Sequence, residues 1–236
     1  MSKAHLVFAA CVALTLAACS IGKPIPQPNT YVVQPPMPGG GPSVASRAES
    51  LRIGNVRVAA EFAGNALVYR MDDVRLISDP YSRFIAEPGA MFGDQMAAWL
   101  GCAGPFRTVI DTESTLPAHY VLEATITELY GDFRPGGAPA AVLAVQFALI
   151  DQIGPHPQAV LQRVIARRVE LPRASPDALV RGYGNALAEI LEELSTELQV
   201  VPQITRVPVS EPNARPSARI WQAKTVGEYK LLRSSH

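Results

Sequence analysis

The sequence predicts an α+β fold in which a largely antiparallel sheet carries two helices. Two observations predict it. Between Tyr120 and Leu171, three long stretches alternate apolar and polar residues with a period of two and are separated by Pro/Gly turns. Two further segments, from Pro88 to Cys102 and from Pro176 to Leu198, place apolar residues at helical spacing along one face.

The N-terminus comes first in chain order. Lys3 and His5 precede an apolar run from Leu6 to Leu16, which ends in Ala17-Ala18-Cys19. A basic start, a short apolar stretch and small residues at its end mark a secretory signal peptide. Eleven residues are too few to cross a bilayer, which takes about 20. Leu16-Ala17-Ala18-Cys19 resembles the lipobox of bacterial lipoproteins. In those precursors the thiol takes a diacylglycerol, a peptidase cuts before the cysteine, and the new amino group takes a third acyl chain. The chemistry asks for these residues: a thiol forms a stable thioether, and two alanines let an enzyme grip the chain closely. Cys19 is therefore the candidate lipidation site, with 1–18 as leader. Each buried methylene contributes about 0.8 kcal/mol, so one acyl chain holds weakly and two or three hold firmly.

Residues 20–50 hold seven Pro and four Gly, which suits a tether or irregular arm. Within it, Thr30-Tyr31-Val32-Val33 favours a short edge strand, so the tether proper is Ser20 to Asn29. Leu51 to Val58 reads as a strand broken near Gly54-Asn55, Ala66 to Arg70 as the next, and Val74 to Ile77 as a third. Asp72-Asp73 reads as a turn, because no third ligand stands at metal spacing. Asp79-Pro80 is expected to open a loop. Pro88 suits a helix start, and Gly101 and Gly104 suit its end. Phe106 to Asp111 is a short strand, and Tyr120 to Phe133, Val142 to Ile150 and Val160 to Leu171 form an antiparallel meander. Ser175-Pro176-Asp177 then caps the second helix. Gly182-Tyr183-Gly184 within it lacks the third glycine and the preceding strand of a dinucleotide site. Beyond Val201, four prolines punctuate a tail in which Ile220-Trp221 and Tyr229 to Leu232 are the β-favouring stretches.

The chain has equal numbers of basic and acidic residues, 21 each. They are unevenly placed: 51–199 hold 12 Arg against 18 carboxylates, while 200–236 hold 6 basic and 2 acidic residues. An acidic body argues against a nucleic-acid partner. Cys11 leaves with the leader and Cys19 carries lipid, so Cys102 has no intrachain partner and reads as a small core residue. No HExxH, CxxC, GxSxG or Walker loop is present, and His119, His156 and His236 stand far apart. The sequence therefore points to no catalytic residue, no metal ligand and no cofactor, and reads as a binding or assembly component.

The order of these signals resembles the ABC-type transport auxiliary lipoproteins. Tyr31-Val32-Val33 follows the lipobox, and then come Val56-Arg57-Val58 and Phe62 to Arg70 with its Val68-Tyr69-Arg70 strand. The helix ending at Trp99-Leu100, the strand opening at Tyr120-Val121-Leu122-Glu123-Ala124 and the capped final helix complete the match. Phe84-Ile85-Ala86-Glu87-Pro88 lacks the tryptophan usual in the family at this point, and the basic tail lies outside the resemblance. The resemblance implies a mixed sheet with two helices packed on one face. It implies an outer-membrane lipoprotein facing the periplasm, with Ser20 after the lipidated cysteine favouring that membrane. Its partners would be an MCE-domain protein and an ABC transporter permease/ATPase complex that moves phospholipids or other lipophilic compounds; a homo-oligomer is also allowed. The expected layout is leader 1–18, lipidated tether 19–29, auxiliary domain 30–201 and basic tail 202–236. The competing expectation is a structural lipoprotein that activates or scaffolds a cell-wall synthase or outer-membrane assembly. A lipid-anchored enzyme finds no residues to support it.

Overall fold

The structure, a computed structural model, describes residues 27–39, 47–153 and 155–201. Eight strands form one mixed sheet. In chain order they are β1 (Asn29–Tyr31), β2 (Arg47–Val58), β3 (Ala66–Arg70), β4 (Leu76–Phe84), β5 (Phe106–Ile110), β6 (Tyr120–Asp132), β7 (Ala140–Asp151) and β8 (Gln158–Glu170). Helix α1 (Pro88–Ala103) joins β4 to β5, and α2 (Pro176–Val200) follows β8.

β6 is the spine. One of its edges pairs antiparallel with β7 from end to end, and β7 pairs likewise with β8. Its other edge is shared. β2 runs parallel to Tyr120–Ile126, and β3 parallel to Gly131–Asp132. β5 extends the first half alongside β2, while β4 and then β1 extend the second half beyond β3. The expected meander and the mixed, largely antiparallel character are thus present. α1 packs on β2 and β5, α2 packs on β7 and β8, and the two helices touch. Ser195 Oγ of α2 donates to the Ala103 carbonyl at the end of α1, 3.4 Å away.

The alternation along β6 explains which side chains meet α2. Leu122, Ala124 and Ile126 are buried on the helix face. The ladder then shifts register between Ile126 and Glu128, and an extra residue in a strand reverses the faces of everything after it. Leu129 and Gly131 therefore take the helix face, where Leu179 of α2 packs against Gly131. Tyr130 and Asp132 turn to the opposite face. There Tyr130 stacks on Phe62 from a 3-10 turn at Ala60–Phe62, with ring centroids 6.0 Å apart.

α2 comes close to its neighbours at two glycines. A side chain at Gly182 would meet Leu171 and Ala141, and one at Gly184 would meet the carbonyl of Gln34. The Gly-Tyr-Gly segment is thus a packing solution. It lets the helix press on the sheet from one side and receive the N-terminal arm on the other. On the outer side of α2, Arg163 pairs with Glu197 at 2.9 Å, and Arg167 with Glu189 at 3.3 Å and with Glu193. Ser175 caps the helix as expected, its Oγ accepting the Ala178 N–H. Ser175→Ala should lower stability by about 1 kcal/mol, visible as a lower denaturant midpoint at unchanged slope.

Three strands differ from the sequence expectation, and the first of them, β1, ends at Tyr31, so that Val32 and Val33 belong to the arm instead. β2 starts at Arg47 rather than Leu51, because β5 recruits its first residues through Arg47–Phe106 and Ser50–Thr108 pairing. β4 continues through Asp79-Pro80 instead of yielding to a loop. Asp79 Oδ1 accepts the N–H groups of Tyr81 and Ser82, and proline is tolerated at a sheet edge, where no ladder partner needs its missing N–H.

Candidate functional site

Cys19, the lipidation site expected from sequence, lies outside the described residues, as do the leader, His236 and the tail beyond Val201. The described chain begins two residues ahead of β1. After β1 it becomes an arm that crosses the helices. Val33 is fully buried, and its N–H approaches the Met91 sulfur of α1 at 3.5 Å. The Gln34 carbonyl rests on Gly184.

Where the arm leaves the helices, it closes one side of a groove of about 520 Å³. Pro36, Pro38, Trp99, Ala188, Glu192 and Ser195 line it. The Trp99 indole N–H is buried and has no hydrogen-bond partner among the described residues. The Tyr183 hydroxyl, fully buried nearer the sheet, likewise has none, and burial raises its pKa well above the ordinary phenol value.

The second concave place lies at the far end of β6. An open cleft of about 410 Å³ sits between the β3–β4 turn and the β6–β7 loop. Its centre is Asp132. Arg134 donates from Nε to Oδ1 and from Nη2 to Oδ2, both at 2.9 Å, and Arg168 Nη1 donates to Oδ2 at 2.5 Å. The third Arg134 nitrogen, Nη1, reaches Asp73 at 2.9 Å. These guanidinium bonds, the Arg134 ones first, outweigh burial and hold the Asp132 carboxyl well below the usual carboxylate range. Every charge here has a partner of opposite sign, so the arrangement is a clasp between two turns and leaves no guanidinium free for an anion.

The Val68-Tyr69-Arg70 strand feeds the same clasp. Tyr69 stacks on Phe133 at 5.0 Å between centroids and donates to Asp79 Oδ2 at 2.7 Å. Burial first, then the Asp79 carboxylate, drive the Tyr69 pKa far above its ordinary value. Arg70 lies over the Tyr130 ring and donates to the carbonyls of Asp72 and Asp73. Asp72 itself forms the expected turn, with Oδ1 accepting the N–H groups of Val74 and Arg75.

The clasp makes a pH prediction. Folding lowers the Asp132 pKa, so the folded chain binds fewer protons there than the unfolded chain does. Its stabilisation is therefore complete at neutral pH and is lost as the pH falls below about 4. Asp132→Ala should cost about 2 kcal/mol at pH 7 and flatten the loss of stability between pH 5 and pH 3. The cost stays moderate because Arg134 and Arg168 are 40% and 46% exposed and can rehydrate. Urea titrations at each pH would check this.

The remaining candidate groups stay apart. His119 Nε2 is 3.8 Å from Asp151 Oδ1, beyond hydrogen-bond reach, and Ser50 Oγ accepts the His119 backbone N–H rather than facing its ring. His156 is exposed in the β7–β8 turn, and Cys102 is a free, half-buried thiol on α1. Among the described residues no three His, Cys, Asp or Glu side chains gather at metal-binding distance, and no helix is long and apolar enough to cross a membrane. Sequence reasoning missed the clasp. Its only early signal was the arginine content of the third meander strand.

Comparison with known proteins adds a family and a fold. The family described as ABC-type transport auxiliary lipoprotein component matches residues 31–195. A crystal structure of a Xanthomonas campestris protein superposes with a TM-score of 0.61 at 14% identity, over 73% of this chain and 96% of that one. An uncharacterized protein gives a TM-score of 0.56 at 18% identity, over 73% of this chain and 99% of its own. These likenesses concern the fold alone. No curated protein matches the chain.

Proposed function

The chain belongs to the ABC-type transport auxiliary lipoprotein family, and from that premise we propose that it is the non-catalytic accessory subunit of an MCE/ABC-type transport system. The cargo class is phospholipids or other lipophilic compounds moving between membranes. In this reading Cys19 carries the acyl chains, and Ser20 directs the protein to the outer membrane, facing the periplasm. The layout is leader 1–18, lipidated tether 19–29, auxiliary domain 30–201 and basic tail 202–236. Its partners are an MCE-domain protein and the permease/ATPase complex, and the membrane is met through the N-terminal lipid.

The observation that carries the reading is the position of the family match. It spans 31–195, from the end of β1 almost to the end of α2, and begins just after a lipobox and a proline-rich tether. A rigid sheet-and-helix body on a short lipid tether suits a part that positions other subunits. Deletion of the gene, complemented with wild type, tests it. The deletion strain should lose detergent resistance and shift the lipid distribution between its two membranes, and the wild-type chain should restore both. A deletion strain with unchanged resistance and lipid distribution would remove the proposal.

A further inference from the structure

Eleven large apolar side chains are exposed among the described residues, and six of them lie along one edge of the sheet. Val74, Leu76, Ile77, Tyr81 and Ile85 follow one another on and around β4, and Val32 follows β1 beside them. Their exposure is substantial, from 42% at Leu76 and Ile77 to 95% at Val74. β1 covers β4 only over Ser82–Phe84, and the outer edge of Leu76–Tyr81 has no strand partner among the described residues. At about 3.3 Å per residue, the row from Leu76 to Ile85 extends roughly 30 Å.

We propose that this β1–β4 edge is a membrane-contact surface that rests on the headgroup region of the bilayer bearing the lipid anchor. The proposal depends on lipidation at Cys19. Three observations select a bilayer as the occupant. The described chain begins at Gln27, two residues ahead of β1 on this same edge and eight residues after Cys19. Ser20–Asn29 reaches at most roughly 30 Å even in extended polyproline geometry, so the anchored membrane lies within one domain width of the patch. The chemistry of the edge also suits the interface rather than the hydrocarbon. Tyr81 offers a ring with a polar tip, the kind of side chain that concentrates at headgroup depth. The outward backbone groups along Leu76–Ser78, which no described strand pairs, need hydrogen bonds, which headgroups and interfacial water supply and hydrocarbon does not. Exposed Arg83 lies within the row, where a cation favours an anionic lipid surface, while Arg75 beside Leu76 is paired with Asp72 at 3.2 Å.

The test uses the full lipidated protein in vesicles of phosphatidylethanolamine and phosphatidylglycerol with brominated acyl chains. Tyr81→Trp places a fluorophore in the row, and Val164→Trp places one on β8, across the sheet. Both sites are more than half exposed, 52% and 65%, so each variant should fold like wild type. Above the background of Trp99 and Trp221, Tyr81→Trp should be quenched about twofold or more over Val164→Trp. A lipidated, vesicle-bound Tyr81→Trp protein quenched no more than Val164→Trp would overturn the proposal while leaving the anchor intact. Shielding of Tyr81→Trp from aqueous iodide only when a transporter subunit is added would also overturn it, and would make the edge a protein-docking surface. A purified protein of unacylated mass would overturn the anchor and this proposal together.

Discussion

Gly182→Val should cost about 3 kcal/mol or more, a large share of the 5–15 kcal/mol that holds a typical domain together. The first added carbon would sit 2.6 Å from Leu171 Cδ2 and 2.7 Å from the Ala141 Cβ. Leu171 is the end of a flexible side chain and can turn aside. Ala141 cannot, because its β-carbon is fixed to β7, which is paired on both edges and fully buried at this point. Relief therefore requires α2 to lift from the sheet. That would strip cover from Leu179, Leu187 and Ile190, all fully buried, and would loosen the seat of the arm at Gly184. Gly64→Ala is the control, since nothing lies within 4 Å of a side chain there. Urea unfolding should show a midpoint far below wild type for Gly182→Val and within about 0.5 kcal/mol of it for Gly64→Ala. Equal midpoints for the two variants would mean that α2 is not pressed onto the sheet as described.

Cys19→Ala should abolish acylation altogether. Each acyl chain adds about 0.8 kcal/mol for every buried methylene, so losing all of them removes the membrane affinity of the mature N-terminus. Mass spectrometry of the wild-type protein should give a species that starts at Cys19 and is heavier by its acyl groups. The variant should lack that species. Wild type and variant found equally membrane-bound, with masses differing only by the cysteine-to-alanine change, would rule out lipidation at this residue.

Much of the fold was legible because its longest elements are periodic. The alternation of Tyr120, Leu122, Ala124 and Ile126 reports a sheet with one covered face, and the stripe from Leu179 to Leu198 reports a helix lying on it. What stayed hidden depends on partners distant in sequence. Arg47 to Ser50 join β2 only because β5 lies alongside, and nothing local marks them as strand. The register shift after Ile126 sends Tyr130 and Asp132 to the opposite face, which a plain alternation cannot foresee. The clasp needs Asp73, Asp132, Arg134 and Arg168 together, from three separate stretches of chain. The lipidation proposed for Cys19 rests on the converse, a signal of four consecutive residues that involves no tertiary contact.

The most direct measurement is a pull-down of the tagged, lipidated protein from detergent-solubilised envelopes, read by mass spectrometry. Membership in a transport auxiliary family, with the accessory role proposed from it, predicts recovery of an MCE-domain protein together with ABC permease and ATPase subunits. Recovery of a cell-wall synthase or an outer-membrane barrel in their place would contradict it, and would mean that this fold serves another envelope machine.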